Sequence, residues 1–268
     1  VSFQDLLKTA ELVINQQVKM RSGFYERNFI KVIHGRASFL DAHTIEIRME
    51  GKANKKFTAA AFILATGSKP YHPPDVDFSH KRIVDSDTIL NLDENPRSIT
   101  IYGAGIVGCE YASIFRGLRI KVNLINTQNQ LLSFLDDEII DALAYHLREQ
   151  GVLIRHNEEY EKVEGGNGDV RIYFQSKKEI RSDILLWAQG KTGNSDGLNL
   201  ETIGVEFDER GIIMINENHQ TAREHIYAVG DVVGYPNLAS AAYDQGRFAA
   251  THLIKKECEF SLVEYIPT

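Results

Sequence analysis

The residues with the clearest chemical pattern are Gly103-Ala104-Gly105-Ile106-Val107-Gly108, a GxGxxG run. It stands between the apolar stretch Ile99–Tyr102 and an amphipathic stretch reaching about Arg116. A bare GxGxxG says little, but between a buried strand and a helix it has a mechanism. Gly103 permits a tight turn, Gly105 leaves the backbone bare to a pyrophosphate, and Gly108 lets helix and strand pack closely. The new helix then turns unpaired N–H groups and roughly half a positive charge toward the phosphates. The pattern predicts a bound dinucleotide of the NAD type in a redox function.

Two further positions follow from that geometry. The side chain that reads the adenosine ribose is expected ~20 residues beyond the motif, at the end of the next strand. Asn126 stands there, with Thr127 and Gln128 beside it. A carboxylate would bond a free 2′-hydroxyl and repel a 2′-phosphate, and an arginine would do the reverse. Asn126 does neither strongly, which predicts tolerance of both NAD(H) and NADP(H). Farther on, Tyr227-Ala228-Val229-Gly230-Asp231 reads as a buried strand ending in a short carboxylate just before a helix. Such a carboxylate can accept a hydrogen bond from a polyol. Ala65-Thr66-Gly67 closes another apolar strand in the same way.

The elements that must position these residues are legible from periodicity. The run Phe3, Leu6, Leu7, Ala10, Val13 and Ile14 marks one apolar face of an N-terminal helix. Short strands are expected at Ile30–Ile33, Ala37–Leu40, Thr44–Arg48 and within Ala59–Thr66, spaced as a β-meander. Pro70, Pro73, Pro74 and Pro96 mark stiff crossings between domains. From Ser98 the order becomes βαβαβ, with strands Ile99–Tyr102, Lys121–Ile125 and Val152–Arg155 and a second helix over about Asp136–Gln150. Tyr160–Ile180 reads as an antiparallel excursion, Asp183–Ala188 and His225–Val229 as buried strands, and Leu238–Lys255 as a last helix.

Composition narrows the setting. The balance of 30 basic and 37 acidic residues gives a formal charge of −7. That argues against nucleic acid or an anionic membrane surface as partner. No apolar run approaches the ~20 residues that span a bilayer. The two cysteines, Cys109 and Cys258, form no CxxC pair, so a reducing, cytoplasmic setting is expected and no metal site is assigned.

In order along the chain, IYGAGIVGCE, ILATGSKP, LLWAQGKTGN and IYAVGDV resemble the two-dinucleotide-binding flavoprotein disulfide reductase superfamily. GFYERN, PYHPPDVDF, CEYASIFRGL, RHNEEYEKVEG and LASAAYDQGR are closer still to its soluble, FAD-containing pyridine nucleotide transhydrogenase family. The resemblance implies an α/β fold, with a Rossmann-like NAD(P)-binding domain inserted in a partial FAD-binding domain. Residues 1–95 and 216–255 would belong to the FAD domain, 96–215 to the NAD(P) domain, and 256–268 would begin a dimerisation domain. The chain then looks like an internal piece of a longer enzyme that is a homo-oligomer when full length. The missing parts would be the first FAD-binding βαβ and the segment where disulfide reductases carry redox cysteines.

The resemblance also implies residue roles. Ala37, Ala65, Thr66, Gly67 and Asp231 would line FAD, and the helix beginning near Leu238 and Ala239 would face the flavin ring. Gly103 to Gly108, Asn126, Tyr160 and Gly190 would hold the nicotinamide nucleotide. Glu110 matches a glutamate near the hydride path, and Ile106 stands where glutathione reductases have a tyrosine. The implied reaction moves hydride from NADPH to FAD and then to NAD+, with NADPH and NAD+ as substrates. Alternatives are a dihydrolipoamide dehydrogenase-like disulfide reductase and a non-catalytic NAD(H)-binding fragment. His156, Glu158 and Glu159 read as solvated strand-end residues, His72, His80, His219 and His225 as turn residues, and Cys109 as a small buried side chain.

Overall fold

The structure, a computed structural model, describes residues 2–258 and 262. Helix α1 (Phe3–Arg27) opens on a capping box: Ser2 Oγ accepts from Asp5 N, and Asp5 accepts from Ser2 N. Only its first turn is anchored. Phe3 is buried with its ring 4.9 Å from that of Phe115, and Leu7 packs beside it. Val13 and Ile14, expected on the buried face, are exposed. A helix of 25 residues spans about 37 Å at 1.5 Å per residue, longer than the surface it meets here.

Strands β1 (Arg36–Asp41), β2 (Thr44–Arg48) and β3 (Lys55–Thr58) form an antiparallel meander, of which the sequence predicts the first two strands but not β3. The strand expected at Ile30–Ile33 does not form. Phe29 turns the chain at φ +55°, and Ile30 and Val32 stay exposed with no strand to pair with. Of the apolar run 59–66, only β4 (Phe62–Leu64) is strand, and β5 (Ser68–Pro70) follows it.

The next elements build one parallel sheet. They are β6 (Ile83–Asp85), β7 (Ser98–Tyr102), α2 (Ile106–Gly117), β8 (Lys121–Ile125), α3 (Asp137–Glu149) and β9 (Leu153–Arg155). Strands β10 (Tyr160–Gly165), β11 (Val170–Phe174) and β12 (Glu179–Ser182) form a separate antiparallel sheet before β13 (Ile184–Trp187) rejoins the first. The order is β6-β13-β7-β8-β9. On one face Ile99, Ile101, Leu124 and Leu186 pack with Ala112, Phe115 and Leu147 of the helices. On the other, Tyr102, Ile125, Leu185 and Trp187 pack with Val170, Ile172 and Phe174. Burial on both faces explains why β13 is apolar without alternation.

Then come β14 (Lys191–Gly193), β15 (Ile226–Ala228) and α4 (Ala239–Lys255). β15 runs parallel to β4, and β14 pairs with β5. Phe39, Leu64, Leu200, Ile203, Ile213 and Ile226 form their core.

The chain divides into two compact units: residues through Ile30 with Pro70–Gly190, and Lys31–Lys69 with the chain from Lys191. These packing divisions fall at 69/70 and 190/191. The parallel pairing of β6 with β13 draws Ile83–Asp85 into the first unit. Leu198, Leu200, Ile203, Val205 and Ile213 draw the stretch after Gly190 into the core of the second. The proposed start of a dimerisation domain, 256–268, lies largely outside the described residues.

Candidate functional site

In the first unit the GxGxxG turn sits at the C-terminal edge of the parallel sheet, where ligands of doubly wound folds bind. Gly103 has φ +115°, and a Cβ there would overlap the Ala188 carbonyl on β13's exit. A Cβ on Gly108 would overlap the Gly103 carbonyl oxygen, so the start of α2 lies directly on the turn. Gly105 has nothing within 4 Å of where a Cβ would stand, so its side is open to a ligand. It is also the N-cap of α2 and contributes no side-chain cap, leaving the first-turn N–H groups free. The edge is stitched together by backbone bonds, Gly103 N to Ile125 O at 3.0 Å, Ala188 N to Tyr102 O at 2.7 Å and Asn126 N to Arg155 O at 2.7 Å.

The other expected residues of this unit fall around that edge. Ile106 and Glu110 lie exposed on α2, while Ala104 is buried and Val107 half-buried. Cys109 is buried as expected, its thiol pushed up to about 11 by burial and by Glu110, and so unreactive. Asn126 ends β8, buried, and its amide is engaged by its own loop: Oδ1 accepts from Gln128 N at 3.2 Å and Nδ2 donates to Gln130 O at 2.7 Å. Tyr160 packs edge-on against Tyr102 and Trp187, and its hydroxyl donates to Asp75. Burial and that carboxylate push the phenol up to about 12. Gly190 is exposed, and its carbonyl accepts from Tyr71 N at 3.1 Å.

In the second unit Asp231 follows β15 and Gly67 follows the parallel β4, so both strands deliver their ends to one place. Asp231 accepts from Ser68 Oγ at 2.8 Å, and Lys191 Nζ lies 3.6 Å away. Ala65 and Thr66 are exposed, as are Leu238 and Ala239 at the start of α4. Leu238 is the N-cap and supplies no side-chain acceptor, so that helix end also presents free N–H groups. Gly230 N donates to the buried Gln245 Oε1 at 2.7 Å, which ties the Gly-Asp turn to α4. A half-buried carboxylate beside an open helix end suits the ribityl chain and electron-rich ring of FAD. Ala37 lies on β1, half-buried opposite Ile47.

Several polar residues stand differently from what the sequence predicts. Glu158 is not solvated: it is buried and bonded to Lys178 and Ser176. His219 is buried, its imidazole held below the ordinary range by burial, and it contacts the Ala228 carbonyl. His72 is paired with Asp85. Ser68 and Lys191 lie within the ILATGSKP and LLWAQGKTGN motifs, but nothing local assigns them to Asp231, which is far away in sequence.

The model of the family described as pyridine nucleotide-disulphide oxidoreductase matches residues 4–246. Proteins named soluble pyridine nucleotide transhydrogenase, from Salmonella paratyphi C and Salmonella choleraesuis, are each 56% identical over 267 residues. That alignment takes in 100% of this chain and 57% of each relative, so the chain spans little more than half their length. Among solved structures, the HOCl-induced flavoprotein disulfide reductase RclA from Escherichia coli is 25% identical with a TM-score of 0.87, over 100% of this chain and 61% of that one. LpdA from Mycobacterium tuberculosis, 23% identical over 95% of this chain and 57% of that one, shares the fold with a TM-score of 0.88. With the family match covering both glycine-closed edges just described, the chain belongs to the pyridine nucleotide-disulphide oxidoreductase family.

Proposed function

We propose that this chain supplies the nicotinamide-nucleotide site and part of the FAD site of an enzyme that transfers hydride from NADPH to NAD+. Residues 96–215 serve NAD(P), and residues 1–95 and 216–255 serve FAD. The reading includes a cytoplasmic setting, supported by two cysteines that form no CxxC pair, and a homo-oligomeric full-length protein, supported by the family resemblance. The observation that carries the reading is the Gly103–Gly108 turn, packed too tightly for any side chain at 108 and open at 105, under an uncapped helix end. The 56% identity to proteins named soluble pyridine nucleotide transhydrogenase supports this choice of reaction.

FAD, when bound, supplies the centre that accepts hydride and returns it. The chain's own part is binding and alignment, and no protein nucleophile is needed. Gly105 and the first turn of α2 hold the pyrophosphate. Asp231, steadied by Ser68, accepts from a ribityl hydroxyl. The free N–H groups at Leu238 and Ala239 would face the ring's pyrimidine end and favour negative charge there. Glu110, exposed on α2, is the candidate for positioning near the hydride path.

Stopped-flow absorbance on the full-length protein tests this reading. Mixing with NADPH is expected to bleach the flavin band near about 450 nm. NAD+ added next restores it, and steady-state rates follow ping-pong kinetics. A flavin that NADPH fails to bleach overturns the reading.

A further inference from the structure

We propose that Arg148, on the last turn of α3, reads the 2′ position of the adenosine ribose and favours the 2′-phosphorylated nucleotide, with His156 holding it in place. The inference rests on the reading that the Gly103–Gly108 turn binds a nicotinamide nucleotide. On that reading the ribose lies at the end of β8, where Asn126 stands. Asn126 cannot turn to it freely, because its amide already bonds Gln128 N and Gln130 O. The next polar groups are reached through its Nδ2, which lies 3.3 Å from His156 Nδ1. His156 Nε2 in turn lies 3.3 Å from the Arg148 guanidinium. A strand end, a loop and a helix end thus place three side chains in line.

Their chemistry points to an anion. The guanidinium is a donor facing His156 Nε2, so the imidazole proton sits on Nδ1 and Asn126 Nδ2 lies beside that nitrogen without accepting or donating a bond to it. Burial and then Arg148 hold the imidazole below the ordinary histidine range, so it stays neutral and accepts from the guanidinium. Arg148 has no carboxylate partner among the described residues. The nearby Glu158 is taken up by Lys178 and Ser176. An exposed guanidinium with an oriented plane and an uncancelled charge suits a phosphate monoester, whereas a ribose hydroxyl gains little from it. The neutral loop Asn126–Gln128 then admits either nucleotide, and Arg148 tips the balance.

Calorimetric titration of the full-length protein with 2′,5′-ADP and with 5′-AMP isolates the 2′-phosphate without requiring hydride transfer. The parent is expected to bind 2′,5′-ADP about tenfold tighter than 5′-AMP, the span of one charge-assisted contact. Arg148→Gln, at an exposed position that folding tolerates, removes that preference and leaves 5′-AMP binding within about twofold. Arg148→Lys restores part of it, since charge returns without the fork. His156→Phe lowers the preference and leaves 5′-AMP unchanged. A parent that binds the two ligands equally, or an Arg148→Gln variant with the parent's preference, overturns the inference alone. Failure of both ligands to bind overturns the nucleotide reading of the turn, and this inference with it.

Discussion

Asp85 ends β6 with its side chain withdrawn from water, yet it is charged. Burial pushes its carboxyl up, but Thr88 N–H and hydroxyl, His72 Nε2 at 2.6 Å and Asp87 N–H outweigh that and hold it below the usual range. His72 is itself stacked on Phe78 at 3.7 Å between ring centres. A carboxyl depressed in the folded state adds stability above its unfolded pKa of about 3.9 and loses it as pH falls through the folded value. Asp85→Asn is therefore expected to destabilise by about 1–3 kcal/mol at pH 7. The gap to the parent should narrow below about pH 4. Urea melts from pH 3 to 7 measure it, and a gap independent of pH would show that charge is not the source. Little of this was legible in the sequence, where His72 reads as a turn residue. The pairing exists only because a proline-rich crossing and a short strand meet at one sheet edge. Gly103 to Gly108 were legible because all their chemistry is local.

Elements show the same division between local and distant causes. Strands β7 and β8 and helix α3 lie within a residue or so of their expected bounds, since each carries its own period and stop signals. Strand β6 had no such signal. Ile-Val-Asp is too short for a period, and it becomes a strand by pairing with β13 about a hundred residues on. The α2 junction separates folding from binding within one motif. At Gly108 an added methyl meets the Gly103 backbone, so Gly108→Ala is expected to cost at least about 2 kcal/mol and to lower Tm. At Gly105, with φ −76° and open space, alanine fits within about 0.5 kcal/mol. Its methyl stands where a pyrophosphate would approach, so NADH affinity is expected to fall about tenfold or more. Thermal melts and NADH titration of both variants separate the effects. A Gly105→Ala protein that binds NADH like the parent would remove the turn from the phosphate site.

At the scale of the whole molecule, each cluster of buried side chains draws on one unit alone. Phe115, fully buried, holds α2 against β7 and β8, and Leu200 belongs to the core around Phe39 and Ile226. Phe115→Ala is expected to cost about 3–5 kcal/mol and Leu200→Ala about 2–5 kcal/mol. Because the cores are separate, the losses should register in different amides. Hydrogen exchange of the full-length protein should quicken at Ile99–Ile101 and Val122–Leu124 in the first variant, and at Ile226–Ala228 in the second. A ligand held at the Gly103–Gly108 turn of the first unit acts on the same map by mass action. NAD+ at about a hundred times its Kd adds about 2.7 kcal/mol to the unfolding of whatever it holds. It should therefore slow exchange in β7, β8 and α2 and offset much of the Phe115→Ala loss while leaving the Leu200→Ala loss in place. Equal protection of Ile226–Ala228 by NAD+ would mean that the two units unfold as one, and that a nucleotide bound at the glycine turn is felt through the entire chain.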